Sequence, residues 1–464
     1  MKATLALTVQ SLGSLGGNVT NPTPTVTITP AKYNVYVGGG VLINATVANV
    51  PNGLCTWSLK ESGGGSVDNM GVYTAPATAG TYHVIATSIA NTAVTATATI
   101  TVIAASMKDL GNLGGTSSIA TAINANGQVA GYSQTATGYY HAFLYTAAAG
   151  MKDLGTLGGN WSYAYGINTS GQVVGTAADT SNDTHAFSWT SAGGMKDLGI
   201  LSGYPNCIAF AVNDAGQVVG TSTDNSNNGH AFLWTSANGM QDLGTMSGYT
   251  EAEALGINST GEVVGIAKNV TTTITSHAFS WTSSGGMTDL GTLGGNSVGA
   301  NGINSAGQVV GFSDNSSATS QAFLYTKAAG MTNLASLSYC YDSYADAINT
   351  SGQVVGEAYD INSNSHAFLW TSTGGMMDLG TLTGCVNSYA YAINASCNIV
   401  GGADDVLGHY HAFLWQSATI KGLNTRVGKY AGSTMTPFNL KHHMNKGRAG
   451  FVPGIKLPGF SYIP

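Results

Sequence analysis

Apolar positions along this chain come in short runs rich in β-branched and aromatic residues. Gly, Asn, Ser and Thr bound the runs, which is the pattern of strands between turns. From residue 107 onward the runs repeat. The phrase M-x-D-L-G begins at Met107, Met151, Met195, Met240, Met287, Met331 (as MTNLA) and Met376, and a worn copy begins at Ile420. The spacings are 44, 44, 45, 47, 44, 45 and 44 residues. Between these marks every unit carries the same phrases, such as AYGIN (164–168), QVVGTA (172–177), a variable polar loop, HAFSWT (185–190) and MKDLG (195–199). An N-x-x-G step joins the first phrase to the second, with Asn opening a turn and Gly supplying positive φ. Four short strands in a unit of this length predict an all-β fold, a β-propeller of four-stranded blades.

Counting the phrases favours eight blades. The first three strands have seven clear copies and the fourth has eight. The tail supplies faint echoes of the missing three, HHMNKGRAGFV (442–452) and PGFSYIP (458–464), within a degenerate last repeat at 420–464. MKDLG at 107–111 would then complete that last blade, a closure by both chain ends that leaves no loose edge. Seven blades, with the tail as an appendage, is the alternative.

Residues 23–104 have a different rhythm. Alternating runs such as TVTITP, VLINATVA and ATATITVI surround Trp57 and predict a β-sandwich, followed by the propeller over 105–464. Residues 1–22 form a third segment, where Leu5, Leu7 and Val9 alternate as in a strand. The opening MKATLALTV resembles the start of an export signal, but its apolar part is short, so a true signal is expected to be missing from this numbering. VQSLGSLGGN (9–18) echoes MKDLGTLGGN (151–160), a spare fourth strand with no evident blade in its own chain to join.

Composition sharpens the picture in one respect. Charged residues make up only 8 % of the chain while Gly numbers 64, which suits β structure with polar, uncharged loops. Residues 1–420 hold eight Lys and no Arg against 22 acids, and residues 421–464 hold seven cations and no acid. So acidic a body argues against nucleic-acid binding. No stretch has the length of a membrane helix. The five cysteines form no CxxC or metal-finger spacing. Cys340 and Cys385 hold matching positions in successive repeats, which leaves a disulfide between them open.

The units HAFLW…GMxDLGTLGG…AINxxGQVVG resemble the HAF-type extracellular repeat family, well over 107–424 and weakly over 425–464. Residues 23–104, above all GVYTAPATAGTYHVIATS, look like a bacterial Ig-like domain. The resemblance implies an exported, surface-associated protein and carries over no activity. Departures from the repeat pattern are Gln321, Asn333, Gly422, Cys397 and the tail.

Third strands open on His141, His185, His230, His277, His366 and His411. Fourth strands end near Asp109, Asp153, Asp197, Asp242, Asp289 and Asp378. Six imidazoles aimed into a channel would suit a metal or cofactor. A third strand lies away from a propeller axis, so these are read as structural polar contacts, with no catalytic, cofactor or metal site. In a hairpin with a four-residue loop His185 shares a face with Phe187 and Trp189 while Asp197 faces away, which favours a partner in the adjacent blade. The substitutions leave this open, because Gln321 with Asn333 fits pairing to the following Asp and Pro458 with Gly422 fits pairing to the preceding one. Gln and Asn keep hydrogen-bonding capacity without charge, as a structural contact allows.

No GxSxG, P-loop, HExxH or dinucleotide fingerprint occurs, so no enzyme is expected. DTSNDT (179–184) and DNSNNG (224–229) lack the acids of a calcium loop and read as turns. Ten N-x-S/T triplets are candidate glycosylation sites: Asn18, Asn44, Asn160, Asn168, Asn182, Asn258, Asn269, Asn315, Asn349 and Asn394. Four of them, Asn168, Asn258, Asn349 and Asn394, are the turn Asn and are expected to be exposed. The leading expectation is a non-enzymatic extracellular structural or adhesive protein, a filament or surface-layer subunit assembled by strand exchange. The alternative is an adhesin for cell-surface polysaccharide, carried by loop aromatics Tyr139, Tyr140, Trp161, Tyr339 and Tyr341.

Overall fold

The computed structural model describes residues 23–50, 53–224, 228–269 and 275–417, and among these there are strands and turns but no helix. Between residues 105 and 417 the strands form seven four-stranded antiparallel sheets, two of them joined by a single bridge between Ser276 and Ser297. One such sheet is Gly158–Ile167, Val173–Asp179, Thr184–Thr190 and Gly194–Asp197, adjacent in chain order. First strands touch first strands all the way round the ring, so they line the axis of a β-propeller. The short fourth strands form its rim.

Each blade-to-blade interface has its own apolar core. Ala122, Ala142 and Leu144 of the first blade meet Ala164, Val173, Phe187 and Trp189 of the second, for example. The Phe of every HAF or QAF phrase is fully buried in such a core. That burial accounts for its recurrence, since truncating a buried Phe costs about 3–5 kcal/mol.

Ring closure corrects the expectation of eight blades. Strand Ala105–Asp109 does not wait for a degenerate eighth set. It pairs with Tyr410–Ser417, with Met107 opposite Trp415, and so completes the seventh blade. A second feature counts the blades independently. Asn124, Asn168, Asn213, Asn258, Asn304, Asn349 and Asn394 each donate from Nδ2 to the backbone carbonyl of the next Asn, at 2.9–3.4 Å, and Asn394 donates back to Asn124. The circle is complete at seven. Residues 1–22 and 418–464, which carry the spare strand, Asn18, the basic tail and the echoes of an eighth repeat, lie outside the described residues.

The same ring corrects the placement of four candidate glycosylation sites. Asn168, Asn258, Asn349 and Asn394 are buried, because their side chains cap the turn and reach the neighbouring blade. Asn44, Asn160 and Asn182 are exposed, and Asn269 and Asn315 are half-buried. The turn itself has the geometry read from N-x-x-G: the Asn carbonyl accepts from the Gly N–H in six blades and from Cys397 in the seventh.

Every first strand also carries a bulge at one position, between Ala120 and Ala122 in the first blade and between Ala164 and Gly166 in the second. The extra residue shifts the backbone toward the second strand. There the glycine of the V-V-G phrase (Gly175, Gly220 and their equivalents) sits so close that a Cβ would overlap a first-strand carbonyl oxygen.

Ahead of the propeller, strands between residues 25 and 103 form sheets of four, three and two strands around one core that includes Val35, Tyr73, Val84 and Ile100. This unit packs on the rim at the sixth and seventh blades. Tyr36 meets Trp415 edge to face at 4.8 Å, in a core shared with Leu379 and Leu382. Leu42 N–H donates to Ser338 Oγ at 3.0 Å.

Candidate functional site

The histidines and aspartates form a ring of joints within blades, which corrects the expected pairing between blades. His141 Nδ1 lies 2.8 Å from Asp153, and the corresponding distances are 2.7 Å for His185–Asp197, 2.9 Å for His230–Asp242, 2.7 Å for His277–Asp289 and 3.2 Å for His411–Asp109. The reason is loop length. Thr190 pairs with Gly194 and Phe187 with Asp197, so the loop has three residues and not four. Gly194 absorbs the difference at a φ of 65°, as Gly150, Gly239, Gly286, Gly330 and Gly375 do in their blades. Asp197 therefore shares the face of Phe187 and of His185. In the fifth blade Asn333 and Gln321 keep a weaker neutral contact at 3.4 Å, and Gln321 Nε2 also donates to the Tyr341 carbonyl.

At this level of the blades, a recurring contact between neighbours falls to serines that sequence reasoning missed. Ser162, Ser343, Ser388 and Ser118 each accept the amide N–H of the Ala that follows His or Gln in the neighbouring blade, at 2.8–3.0 Å. Their recurrence two residues before the first-strand Ala was the available signal.

One joint departs from the others. Asp378 side chain is 4 % exposed, against 43–47 % for the other five aspartates, because the N-terminal unit covers it. Its Oδ2 accepts from Gly40 N–H at 2.8 Å and Tyr339 O–H at 2.6 Å, and His366 stands back at 3.6 Å. Burial pulls the His366 pKa down, but Asp378 and Asp360 outweigh it and hold the imidazole above its usual 6.5. Burial likewise pushes Asp378 up, yet His366, Tyr339 and the Gly380 N–H bring it below 3.8. The raised His contributes fully below about pH 6.5 and loses its contribution as pH rises through the folded value. The depressed Asp contributes above about pH 3.8 and loses it as pH falls through the folded value. The stability difference between wild type and Asp378→Asn, from urea titrations at several pH values, is therefore expected to peak between about pH 4 and 6.5. A flat difference from pH 4 to 8 would show that the joint does not depend on this pair.

Among the described residues no group of three or more His, Cys, Asp or Glu is placed to hold a metal ion. Asp179 accepts from the N–H groups of Ser181 and Asp183, and Asp224 from that of Asn228, so these acids cap turns. All five cysteines are free thiols, which answers the disulfide left open for Cys340 and Cys385. The five loop aromatics are divided between places: Tyr139 and Tyr341 are exposed, Tyr140 stacks on Tyr163, which also meets the buried Trp161, and Tyr339 sits in the Asp378 joint.

The axis holds what distinguishes one blade from another. First strands read A-x-[A/G]-[I/V]-N, and x is the bulge residue: Thr121, Tyr165, Phe210, Leu255, Asn301, Asp346 and Tyr391. Flanking positions are nearly constant; x changes chemistry from blade to blade. Thr121 and Asn301 reach carbonyls of the next blade, those of Ala164 and Ala345, at 2.9 Å. Two residues earlier stand Ile119, Tyr163, Ile208, Glu253, Gly299, Tyr344 and Tyr389, equally varied. Tyr163, Ile208, Phe210, Leu255, Ile266 and Phe312 join across blades in one axial cluster, with Tyr165, Tyr344 and Tyr391 packed against it half-buried. Tyr165 meets Phe210 at 5.5 Å with the ring planes tilted by 51°, and burial pushes its phenol well above the usual value.

No protein-family model and no curated protein sequence matches the chain. Solved structures with a similar fold include the β-propeller domain of the Trilobed protease from Pyrococcus furiosus, at 9 % identity over 64 % of this chain and 95 % of that one, with a TM-score of 0.45. A puromycin hydrolase matches at 12 % identity over 65 % of this chain, with a TM-score of 0.44; the chain spans 54 % of that protein's length. Aleuria aurantia lectin matches at 9 % identity over 57 % of this chain and 98 % of that one, with a TM-score of 0.33. Likenesses this distant assign no activity. With a hydrolase among them, the expectation that the chain is no enzyme is corrected: lack of a known motif on such a fold does not exclude catalysis.

Proposed function

We propose that this protein is an adhesive surface protein, exported and built of HAF-type repeats behind an Ig-like module, whose propeller axis recognises a ligand. The observation that carries the reading is the contrast along the first strands. Frame residues Ala, Ile and Asn recur around the ring, while the axial slot holds Thr, Tyr, Phe, Leu, Asn, Asp and Tyr in turn. Packing explains repetition; it offers no reason for seven blades to diverge at one aligned position that faces the axis. A bulge that re-aims a side chain is a common device at sites of function. The test is adhesion of the full chain to microbial cell envelopes, compared with a variant in which Tyr165, Asp346 and Tyr391 are all replaced by Ser. Binding is expected to fall by about tenfold or more. Equal binding by a folded triple variant would sink the reading.

A second reading, assembly into a filament or surface layer, is favoured by the closure of the ring. Residues 105–417 complete all seven blades, so neither the spare strand phrase at 9–18 nor the seven cations beyond residue 420 are needed to close it. Removing residues 1–22 is expected to leave a folded protein that no longer assembles, as seen by electron microscopy. Unchanged polymers after the deletion would exclude strand exchange through that segment.

A further inference from the structure

We infer that one face of the sixth and seventh blades joins copies of this chain, and that it receives the basic segment 421–464 of a second copy. The inference rests on the assembly reading above and names the surface that assembly would use. It starts from apolar side chains that packing does not explain. Among the described residues the propeller exposes seven large hydrophobic side chains, and five fall on these two neighbouring blades: Tyr341, Ile361, Val386, Val406 and Leu407. Ile361, Val406 and Leu407 are 70–81 % exposed. Soluble monomers rarely gather such residues without a partner for them.

Pairing places the five together. Ile361 sits in the turn Asp360–Asn364 between the second and third strands of its blade, and Val406 and Leu407 sit in the matching turn Asp405–His409. Each turn meets the start of its own first strand, with Asp360 opposite Cys340 and Asp405 opposite Cys385. Tyr341 and Val386 are the next residues and lie in the register shifts there. The two sets adjoin, because Ser365 N–H donates at 2.8 Å to Oδ1 of Asn387, the neighbour of Val386. At the aligned positions the second blade has Asn160, Thr180 and Ser181, and the fifth has Asn296, Ser316 and Ser317. The apolar set is thus particular to two blades.

The surroundings select the occupant. Residues 328–417 hold seven acids and neither Lys nor Arg, and Asp342, Asp360, Asp404 and Asp405 stand beside the apolar side chains. Asp360 faces His366 at 3.7 Å, and Asp405 faces His409 and His411 at 3.4 and 3.8 Å. An imidazole is a weaker counter-charge near pH 7 than Lys or Arg. A partner that suits this face is both apolar and cationic. Segment 421–464 has that composition: seven cations, no acid, and Phe438, Leu440, Phe451 and Ile455 among them. Strand Tyr410–Ser417 starts beside the turn 405–409 and runs away from it, so Ser417 lies about 23 Å off, on the opposite face of the ring. A segment that leaves one face and is received on the other makes a head-to-tail contact, which can repeat from copy to copy along a filament.

The experiment measures particle mass of the full chain over a dilution series at physiological ionic strength. Wild type is expected to form particles of two or more chains. A face variant, Ile361→Lys with Leu407→Lys, should need about tenfold or more protein to associate, and so should a tail variant, Lys441→Glu with Lys446→Glu and Arg448→Glu. Mixed together, the two should form one-to-one pairs near the wild-type concentration, since the first keeps its tail and the second its face. Leu54→Lys, at an exposed apolar position of the N-terminal unit, should change nothing. Should the face variant fail to fold, Ile361→Ser with Leu407→Ser is read in its place and is again expected to weaken association. Folded face or tail variants that associate like wild type overturn this surface and leave the assembly reading standing, as does a mixture that yields no pairs. Wild type that stays a single chain at every concentration overturns both, whether its face is empty or covered by its own segment.

Discussion

Gly220→Ala is expected to destabilise the third blade severely and, with it, the ring. The substitution adds one methyl group, and the residue has ordinary strand dihedrals, so backbone strain plays no part. The obstacle is the Ile208 carbonyl oxygen, pushed against Gly220 by the bulge at Phe210, with the Phe232 ring closing the other side. A Cβ there cannot be relieved by rotating a side chain, since the atom in the way is backbone. Overpacking that must move a strand costs on the order of 3–5 kcal/mol, a large share of the roughly 5–15 kcal/mol that holds a domain folded. Gly216→Ala makes the control, because Gly216 occupies a hairpin turn at a φ of 75° and its Cβ would touch only the tip of Gln172. Its cost is the left-handed conformation alone, about 1–2 kcal/mol. Urea midpoints should therefore rank wild type, Gly216→Ala and Gly220→Ala in that order, with the last also poor in soluble yield. The reverse order of the two variants would contradict the bulge as the origin of the V-V-G phrase.

Asn213→Ala is the second large effect. Asn213 is buried, and its side chain makes four contacts: Oδ1 accepts from the Ala215 and Gln217 amides, and Nδ2 donates to Gln217 Oε1 and to the Asn258 carbonyl of the next blade. Truncation strands all four partners, at about 1–3 kcal/mol for each one that water cannot reach, so a total of about 3 kcal/mol is expected. Asn213→Asp separates the roles. The carboxylate still caps the turn but can no longer donate, and it faces a carbonyl oxygen across the blade boundary. It should recover only part of the lost stability, and less at pH 7 than at pH 4, where protonation restores a donor. A fully stable Asn213→Asp at pH 7 would mean that the turn cap carries the effect and the bond between blades does not.

Much of this was legible in the sequence because the units repeat. Strand order within a blade, the turn at N-x-x-G and the outer position of M-x-D-L-G all follow from spacing and residue type. Blade number did not follow, since phrases can be counted but their pairing across the chain ends cannot. The first M-x-D-L-G strand was free to close a seventh or an eighth set, and only the register of Met107 opposite Trp415 decides. His–Asp pairing failed on parity. One residue more or less in the loop turns Asp197 from one face to the other, and the clue lay in the second Gly of S-A-G-G, which takes positive φ. Exposure of the turn Asn was misjudged for a simpler reason: most hairpin turns end in water, whereas these meet at an axis. The axial slot was visible in A-x-[A/G]-I-N, but its divergence gains meaning only once x is seen to face inward.

Seven similar blades would by themselves give a wheel without a reference mark. Docking of the N-terminal unit at Asp378 supplies one. Because Gly40 takes the carboxylate of the sixth blade and of no other, each axial residue acquires a fixed bearing from the N-terminal unit: Asp346 sits in the docked blade itself, Asn301 and Tyr391 in the blades to either side. Wherever the N-terminal unit is anchored, the same arc of axial residues, acidic and amide with a tyrosine beside it, is turned the same way. Their bearing is thus set at the rim, by the Gly40–Asp378 and Leu42–Ser338 hydrogen bonds and the packing of Tyr36 on Trp415.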